Sequence, residues 1–427
     1  MRVTICGLWH LGCVTAVTLA EAGNDVAGLD SDSAVVEGLC RGEPPLFEPG
    51  LKDLLSSGLS AGKLRFTTDA GSAVSNAEVL WVCIDTPVND NDESDVASVR
   101  AALDRIADAV LPKTFVLISS QVPVGFTRSL ARDWAARGCR FAYSPENLRI
   151  GRALDAFRKP ERVVIGIQDS ADQAILTRLF APFCNRIEWM SLESAEMAKH
   201  ALNAFLATSV TFINELARLC EVVGADAKEV ERGLKSDSRI GPRAYLSPGA
   251  AFAGGTLARD VRFLIEQGDR SGVAMPLLRG VWDGNERQKE WLRQSVQRLL
   301  EGEERPVVAV LGLAYKPGTS IVRRSSAVEL CRWLHARGAH VRAHDPIVSH
   351  LPDELAPLVE LAPEPLAAAA GADLVVLATE WPQYRALRAA DLIARMRRPR
   401  VIDPNYFLKE ALADDPRVAY VATGRAA

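Results

Sequence analysis

The sequence predicts an α/β protein with two doubly wound parallel-sheet domains, joined by a helical domain built on one long central helix. Three observations predict it. The chain opens with an apolar run, Arg2–Cys6, that breaks at Gly7-Leu-Trp-His-Leu-Gly12 into an Ala-rich helix and returns as a second strand at Asp25–Leu29. From Ser194 apolar residues recur at helical spacing as far as Gly224, longer than an ordinary globular helix. At Val307 a second strand–turn–helix–strand series begins. A chain of 427 residues also exceeds what one core accommodates.

In chain order, Gly23 closes the first helix and the second strand ends in Asp30. Strand, tight turn, helix, strand, acid is the order of a Rossmann dinucleotide unit. Gly7, Leu11 and Gly12 form its turn. Asp30 stands where a carboxylate takes ribose hydroxyls and disfavours a 2′-phosphate, which selects NAD over NADP. Trp9 departs from the G-x-G-x-x-G pattern, which calls for glycine where backbone approaches a pyrophosphate. The alternative is a Rossmann-like domain without a cofactor. Glu78–Asp85 and Thr114–Ser120 read as buried strands. Thr86-Pro87 and Gln121-Val-Pro-Val-Gly125 follow them, at the strand ends where such sheets bind ligands. The segment Phe141–Arg149 sets Glu146 beyond a further strand, and Arg162–Ile167 reads as the last strand of this half. The domain spans residues 1–193.

Residues 194–300 read as the helical domain. Lys199 and Asn203 share one face of the long helix. They are either a snorkelling lysine beside a surface amide or a pair that steadies a developing alkoxide. Ala225–Lys235 is another helix, and Asp237-Ser-Arg239-Ile-Gly241 leads past Tyr245 into Ser247–Leu264, SPGAAFAGGTLARDVRFL. Pro248, Gly249, Gly254 and Gly255 open this stretch around Phe252, and a helix begins at Leu257. Thr256 is expected to cap that helix and Asp260 to lie on the rim of whatever the loop holds. Taken alone the stretch is a capped loop–helix joint; beside Lys199 and Asn203 it becomes a cradle.

Glu301–Arg305 is a charged linker into residues 301–427, a second Rossmann-like domain. Its strands are read at Val307–Leu313, His340–Ala343, Leu374–Ala378 and Arg400–Asp403, with a helix at Ser325–Arg337. Lys316, after the first of these strands, is a phosphate ligand or a solvated turn lysine, and Arg323 and Arg324 a possible exposed pair.

Composition bounds the function. Hydrophobic residues make up 48% and charged residues 24%, as in a soluble globular protein, and the net charge of −4 argues against a nucleic-acid partner. No apolar run approaches the ~20 residues that span a membrane. The N-terminus reads as strand and turn, not as a signal peptide. The eight cysteines are scattered without a CxxC, which predicts buried reduced thiols in a cytoplasmic protein, with neither disulfides nor a metal site.

These motifs together resemble the UDP-glucose/GDP-mannose dehydrogenase family. The resemblance rests on Glu48-Pro-Gly-Leu51, Val122-Pro-Val-Gly125, Ser144-Pro-Glu146, Lys199 with Asn203-Ala-Phe-Leu, Arg239-Ile-Gly241, the Phe252…Asp260 loop, Gly312-Leu-Ala-Tyr-Lys316-Pro and Asp345-Pro346, and covers essentially the whole chain. It implies NAD, a nucleoside-diphosphate sugar bound between the domains, and a homodimer or higher homo-oligomer built on the long helix. It makes Lys199, Asn203 and Asp260 the polar catalytic set around the sugar oxygen, with Glu146 nearby. Arg239, Tyr245, Phe252, Gly254, Gly255 and Lys316 become groups around the substrate, while Asp30, Thr86, Pro87, Gln121 and Arg323 stand near the cofactor.

The departures concentrate in one chemistry. Family members oxidise an alcohol twice, the second time through a cysteine thioester. That cysteine is Thr256 here, the following lysine is Arg259, the threonine before Val122 is Gln121, and the second acid after Glu146 is Ile150. A thiol is partly ionised near neutral pH, whereas a threonine hydroxyl needs an adjacent base. The residues for covalent capture and hydrolysis are replaced, and those for moving one hydride remain. Three readings stay open: an NAD-dependent oxidoreductase of nucleotide sugars without a covalent thioester, a conventional dehydrogenase making the uronic acid, and an epimerising or non-catalytic homologue.

Overall fold

Short Val-, Ile- and Leu-rich runs bounded by glycine and acidic residues become strands buried on both faces, the signature of a parallel sheet flanked by helices. The computed structural model describes residues 1–87, 94–146, 148, 151–253, 256–323 and 325–425. They group into two units, Met1–Ala201 and Leu202–Ala427.

In the first unit the strands are β1 (Arg2–Cys6), β2 (Asp25–Leu29), β3 (Leu64–Thr67), β4 (Val79–Val82), β5 (Phe115–Ile118), β6 (Arg140–Tyr143), β7 (Val163–Ile167) and β8 (Ile187–Ser191). They form one sheet in the order β3-β2-β1-β4-β5-β6-β7-β8. The helices are α1 (His10–Glu21), α2 (Ser33–Cys40), α3 (Leu51–Ser60), α4 (Ala70–Val74), α5 (Val96–Ile106), α6 (Phe126–Asp133), α7 (Ala153–Arg158) and α8 (Gln173–Phe180). Alternation along each strand divides the core in two. Val79, Trp81, Phe115 and Leu117 face one cluster with Val14 of α1 and Leu55 of α3. Leu80, Val82, Val116 and Ile118 face another with Leu103 of α5 and Leu130 of α6.

The sheet departs from the expected plan at one edge. Arg162–Ile167 is not the last strand, since β8 follows it, and β7 pairs antiparallel to β6. Among the described residues the connection between β6 and β7 contains one helix, α7, six residues long. Such a helix rises about 9 Å and does not carry the chain back along a strand, so β7 enters from the end where β6 leaves.

The long helix α9 runs from Leu192 to Val223, 32 residues that begin in the first unit and continue in the second. It starts ahead of the expected Ser194. In the second unit α10 (Ala227–Ser236), α11 (Leu257–Arg270) and α12 (Pro276–Leu299) follow. Ala204 and Ala207 of α9, Ala258, Val261 and Leu264 of α11 and Leu278 and Val281 of α12 build their shared core. A second sheet has the order β11-β10-β9-β12-β13-β14, parallel throughout. Its strands are β9 (Val307–Leu311), β10 (His340–His344), β11 (Glu360–Leu361), β12 (Leu374–Leu377), β13 (Arg400–Ile402) and β14 (Ala419–Val421). Helices α13 (Ser326–His335), α14 (Pro365–Ala368), α15 (Ala389–Arg395) and α16 (Lys409–Leu412) complete it.

All eight cysteines are free thiols; Cys6, Cys13, Cys83, Cys220 and Cys331 are buried, but Cys40 is exposed and Cys139 and Cys184 are partly so. Among the described residues no helix is long and apolar enough to cross a membrane. Nor does any cluster of three His, Cys, Asp or Glu side chains there suit a metal ion.

Candidate active site

The turn after β1 is built by two glycines. Gly7 takes φ +93°, and a Cβ there would lie 2.8 Å from the Ile84 backbone. A Cβ on Gly12 would lie 1.7 Å from the Gly7 carbonyl oxygen, so α1 can start against the turn only without a side chain at that position. Trp9 is the helix N-cap with φ −87°, a backbone angle open to any residue, and the residue is 44% exposed. The tryptophan therefore leaves the turn intact. Leu11 is buried and lines an apolar pocket with Trp81, Phe157 and Phe180, beside Glu146. Asp30, at the end of β2, accepts from Leu8 N at 2.7 Å and Asp32 N at 3.0 Å. A carboxylate offers about four acceptor positions, so Asp30 holds the turn and keeps capacity for hydroxyl donors. These features fit a dinucleotide.

Buried side chains brace the loops at the strand ends. The Glu48 carboxylate accepts from Gly151 N and Ala153 N, both at 2.8 Å, and meets His10 Nε2 at 3.0 Å, tying the starts of α1 and α7 together. Thr86 Oγ1 donates to the Gln121 carbonyl at 2.6 Å and joins the loops after β4 and β5; Pro87 beside it is exposed. Glu196 of α9, fully buried, accepts from Gly125 N at 2.6 Å and Thr127 N at 2.9 Å, where α6 begins. Burial raises its carboxyl above the usual range against the pull of these hydrogen bonds. His200 Nε2 meets the Val122 carbonyl oxygen at 3.0 Å. Lys199, between them on α9, is buried; its Nζ donates to the Glu146 carbonyl at 2.5 Å and lies 3.6 Å from Glu146 Oε1. An ammonium has three donors, so further ones remain for a ligand.

Asn203, one turn further along α9, donates from Nδ2 to Asp260 Oδ2. Asp260 sits in the first turn of α11 and is 0% exposed, so it is not the rim residue expected: its carboxylate faces the buried amide of α9. Thr256 occupies the N-cap, yet its hydroxyl makes no capping hydrogen bond and the residue is exposed. Its φ/ψ of −124°/−73° is not the extended conformation in which a threonine reaches the next amides, so the expected cap is absent. Phe252 belongs to the core with Ala204, Ala207, Ala258 and Val261; it anchors the loop rather than lining a surface. Gly254, Gly255, Arg149, Ile150 and Arg324 lie outside the described residues.

The backbone from Gly249 to Phe252 is held by amide side chains that sequence reasoning missed. Gly249 N donates to Asn214 Oδ1 at 2.8 Å and the Gly249 carbonyl accepts from Gln288 Nε2 at 2.8 Å. Asn285 accepts from Phe252 N at 2.9 Å and donates to its carbonyl at 3.0 Å. The signal was present: Leu278, Val281, Asn285, Gln288 and Trp291 fall on the one buried stripe of α12, and amides inside an apolar stripe need partners.

Of the remaining candidates, Arg239 pairs with Asp237 at 2.7 Å on the surface, and Tyr245 is exposed. Lys316 Nζ lies 5.2 Å from the Tyr315 ring centroid, and Arg323 is exposed. The turn after β9 repeats the turn after β1. Gly312 takes φ +94°, Gly312 N donates to His344 O at 2.7 Å as Gly7 N does to Leu29 O at 2.9 Å, and Leu313 N meets Asp345 as Leu8 N meets Asp30. The acids differ. Asp345 takes four backbone N–H groups (Leu313, Ala314, Ile347, Val348) and the Trp381 indole N–H, so its acceptors are consumed. Burial opposes its ionisation, but the backbone bonds outweigh it and hold the carboxyl below the usual range.

Comparison with known proteins agrees with this geometry. Family models of the UDP-glucose/GDP-mannose dehydrogenases match in series: the NAD-binding domain over residues 1–184, the central domain over 193–287 and the UDP-binding domain over 309–410. The chain belongs to the UDP-glucose/GDP-mannose dehydrogenase family. It is 35% identical to the UDP-glucose 6-dehydrogenase of Pseudomonas aeruginosa over 100% of this chain and 98% of the relative. The structure of a UDP-glucose dehydrogenase from Pyrobaculum islandicum superposes with a TM-score of 0.90 at 32% identity, covering 100% of this chain and 98% of that one. A UDP-D-ManNAc dehydrogenase from Pyrococcus horikoshii gives 0.87 at 26% identity, covering 100% and 99%. This chain is thus an NAD-dependent oxidoreductase of the nucleotide-sugar dehydrogenase type.

Proposed function

We propose that this dehydrogenase oxidises the carbinol of a UDP-sugar or related nucleoside-diphosphate sugar by hydride transfer alone, with no covalent thioester. The observation that carries the reading is the position of sulfur. By the family resemblance Thr256 stands where the thioester cysteine belongs, and the second unit contains only Cys220 and Cys331. Cys220 lies seventeen residues beyond Asn203 on α9, about 25 Å along the helix. Cys331 is sealed in the core beneath β9, its pKa pushed up to about 12 by burial. Burial likewise lifts Cys6 and Cys13 to about 12. Cys6, Cys13 and Cys331 are therefore not poised as thiolate nucleophiles.

In this reading Gly7, Gly12, Asp30, Thr86 and Gln121 hold the dinucleotide, which when bound supplies a hydride acceptor. Lys199 and Asn203 hold the carbinol oxygen as it gains negative charge, and Asp260, directly or through water, takes its proton. Glu146 orients Lys199. Arg239, Tyr245 and Lys316 contact the sugar nucleotide. Phe205, Phe212 and Leu219 form an exposed apolar stripe along α9, and the homodimer is proposed to close over it.

A second reading, a conventional UDP-glucose 6-dehydrogenase, is favoured by the names of the relatives. Purified protein with NAD+ and UDP-glucose, UDP-glucuronate or UDP-N-acetylhexosamines separates the two. The thiol-free reading expects one NADH per sugar and near-normal turnover in Thr256→Ala. Two NADH per sugar, lost in Thr256→Ala and not improved in Thr256→Cys, would establish the second. Altered sugar without net NADH would establish epimerisation.

A further inference from the structure

The turn that ends β13 carries a feature the proposed chemistry does not use. Tyr406 takes φ +61°, one of only three non-glycine residues with positive φ among the described residues. Strained backbone of this kind persists where the surroundings enforce it, and it concentrates at functional sites. Here the enforcement is visible. Leu408 N donates to Asp403 Oδ2 at 2.6 Å, Tyr420 OH donates to the same oxygen at 2.7 Å, and Tyr406 OH donates to the Thr423 carbonyl at 2.5 Å.

What this turn presents is Asn405. Its Oδ1 accepts from Ala250 N at 2.7 Å, and its Nδ2 donates to Glu380 Oε1, beyond the end of β12. The fit is close: a Cβ on Gly249 would lie 2.1 Å from Asn405 Oδ1. Thr423 adds a donor to the Gly249 carbonyl at 3.3 Å. Two residues on, Phe252 wedges between Ala204 and Ala207 of α9 and Ala258 and Val261 of α11. Those are the helices whose Asn203 and Asp260 are hydrogen bonded. A displacement at Ala250 therefore reaches the Asn203–Asp260 pair through a packed side chain.

We infer that Asn405, held against Glu380 at the strand ends of the second sheet, is a positioning residue that sets the Ala250–Phe252 backbone and through it the Asn203–Asp260 pair. This rests on the reading of that pair as the catalytic set. The strand ends of the second sheet thereby fix the geometry of the reacting end through the Asn405 amide, with Thr423 beside it. Asparagine suits the task because it accepts from a backbone N–H and donates to a carboxylate at once; aspartate would place two carboxylates together.

The test uses the full chain and three variants, Asn405→Ala, Asn405→Asp and Glu380→Gln. They are read by hydrogen exchange of residues 249–252 and by steady-state kinetics with NAD+ and UDP-glucose. Asn405→Ala is expected to speed exchange at Ala250 at least tenfold and lower kcat about tenfold, with KM for both substrates within threefold. Glu380→Gln still accepts from Asn405 and is expected within twofold of the parent in both readouts. In Asn405→Asp the new carboxylate faces Glu380, with Asp403 also nearby, so fast exchange and low kcat are expected at pH 8. Both should recover toward pH 5.5 as the pair shares a proton. Unchanged Ala250 exchange in Asn405→Ala overturns the inference, as does a loss confined to KM or an Asn405→Asp profile that follows the parent. Exchange needs no turnover: if the parent oxidises no UDP-sugar, the function proposed above fails, and exchange alone decides whether Asn405 holds the loop.

Discussion

Replacing Asp345 by Asn keeps the shape and removes the charge. In the parent, Oδ2 accepts from Leu313 N, Ala314 N and Trp381 Nε1 at 2.8–3.0 Å, and Oδ1 accepts from Ile347 N and Val348 N at 3.0 and 3.1 Å. An amide has one acceptor oxygen. Its NH2 group must face either two or three buried N–H donors, so at least two hydrogen bonds to a charged acceptor are lost. At about 1.5–3 kcal/mol each, the expected cost is about 3–6 kcal/mol at pH 7. For a unit of this size each kcal/mol moves Tm by about 2–4 °C, so its transition should fall by about 6–24 °C. The sign with pH follows from the depressed carboxyl. The stability Asp345 contributes is present above its unfolded pKa and is lost as pH falls through the folded value. The gap between parent and variant should therefore narrow as pH is lowered toward 3. Urea melts of both proteins across that range provide the measurement. A gap under about 1 kcal/mol at pH 7, or one that stays constant into acid, would refute the reasoning.

Glu196 makes the contrasting case. Burial holds its carboxyl above the usual range, so its neutral form is the better guest, and its contribution is fully present at acid pH and lost as pH rises through the folded value. Glu196→Gln sheds the buried charge but offers one acceptor oxygen to two N–H groups, so it should cost about 1–3 kcal/mol in urea melts at pH 7, while Glu196→Ala, which orphans both Gly125 N and Thr127 N, should cost about 2–6 kcal/mol. Gly12→Ala must force the turn open, since its Cβ would sit 1.7 Å from the Gly7 carbonyl; calorimetry should show NAD affinity reduced at least ~100-fold, about 2.7 kcal/mol, with UDP-sugar binding retained. Phe212→Glu charges the centre of the exposed α9 stripe, and sedimentation should then report half the parent's mass; an unchanged mass would place the interface elsewhere.

Much of the fold was legible because its determinants are local. The β1–turn–α1–β2–Asp30 order follows from an apolar run, a glycine that must take positive φ, and an acid at a fixed distance, all within thirty residues. The period of α9 was legible for the same reason. The antiparallel entry of β7 was not, because it depends on how far a short helix carries the chain. The missing Thr256 cap was not legible either: propensity named the right residue for a cap, and the backbone angles then denied it a partner.

For the site, the sequence by itself determined which chemical groups are available: a lysine and an amide one turn apart, an acid four residues after a threonine, and no thiol beside them. Only the tertiary structure decided which of them are sealed and what holds them. Asp260 became a buried partner of Asn203 instead of a rim residue, Phe252 became a wedge, and Asn214, Asn285, Gln288 and Asn405 became the frame of the loop. The physical reason is range. Residue type and helical period act over a few positions, whereas a backbone N–H at Ala250 meets an amide 155 residues away only after the second sheet and the helices of its unit are in place.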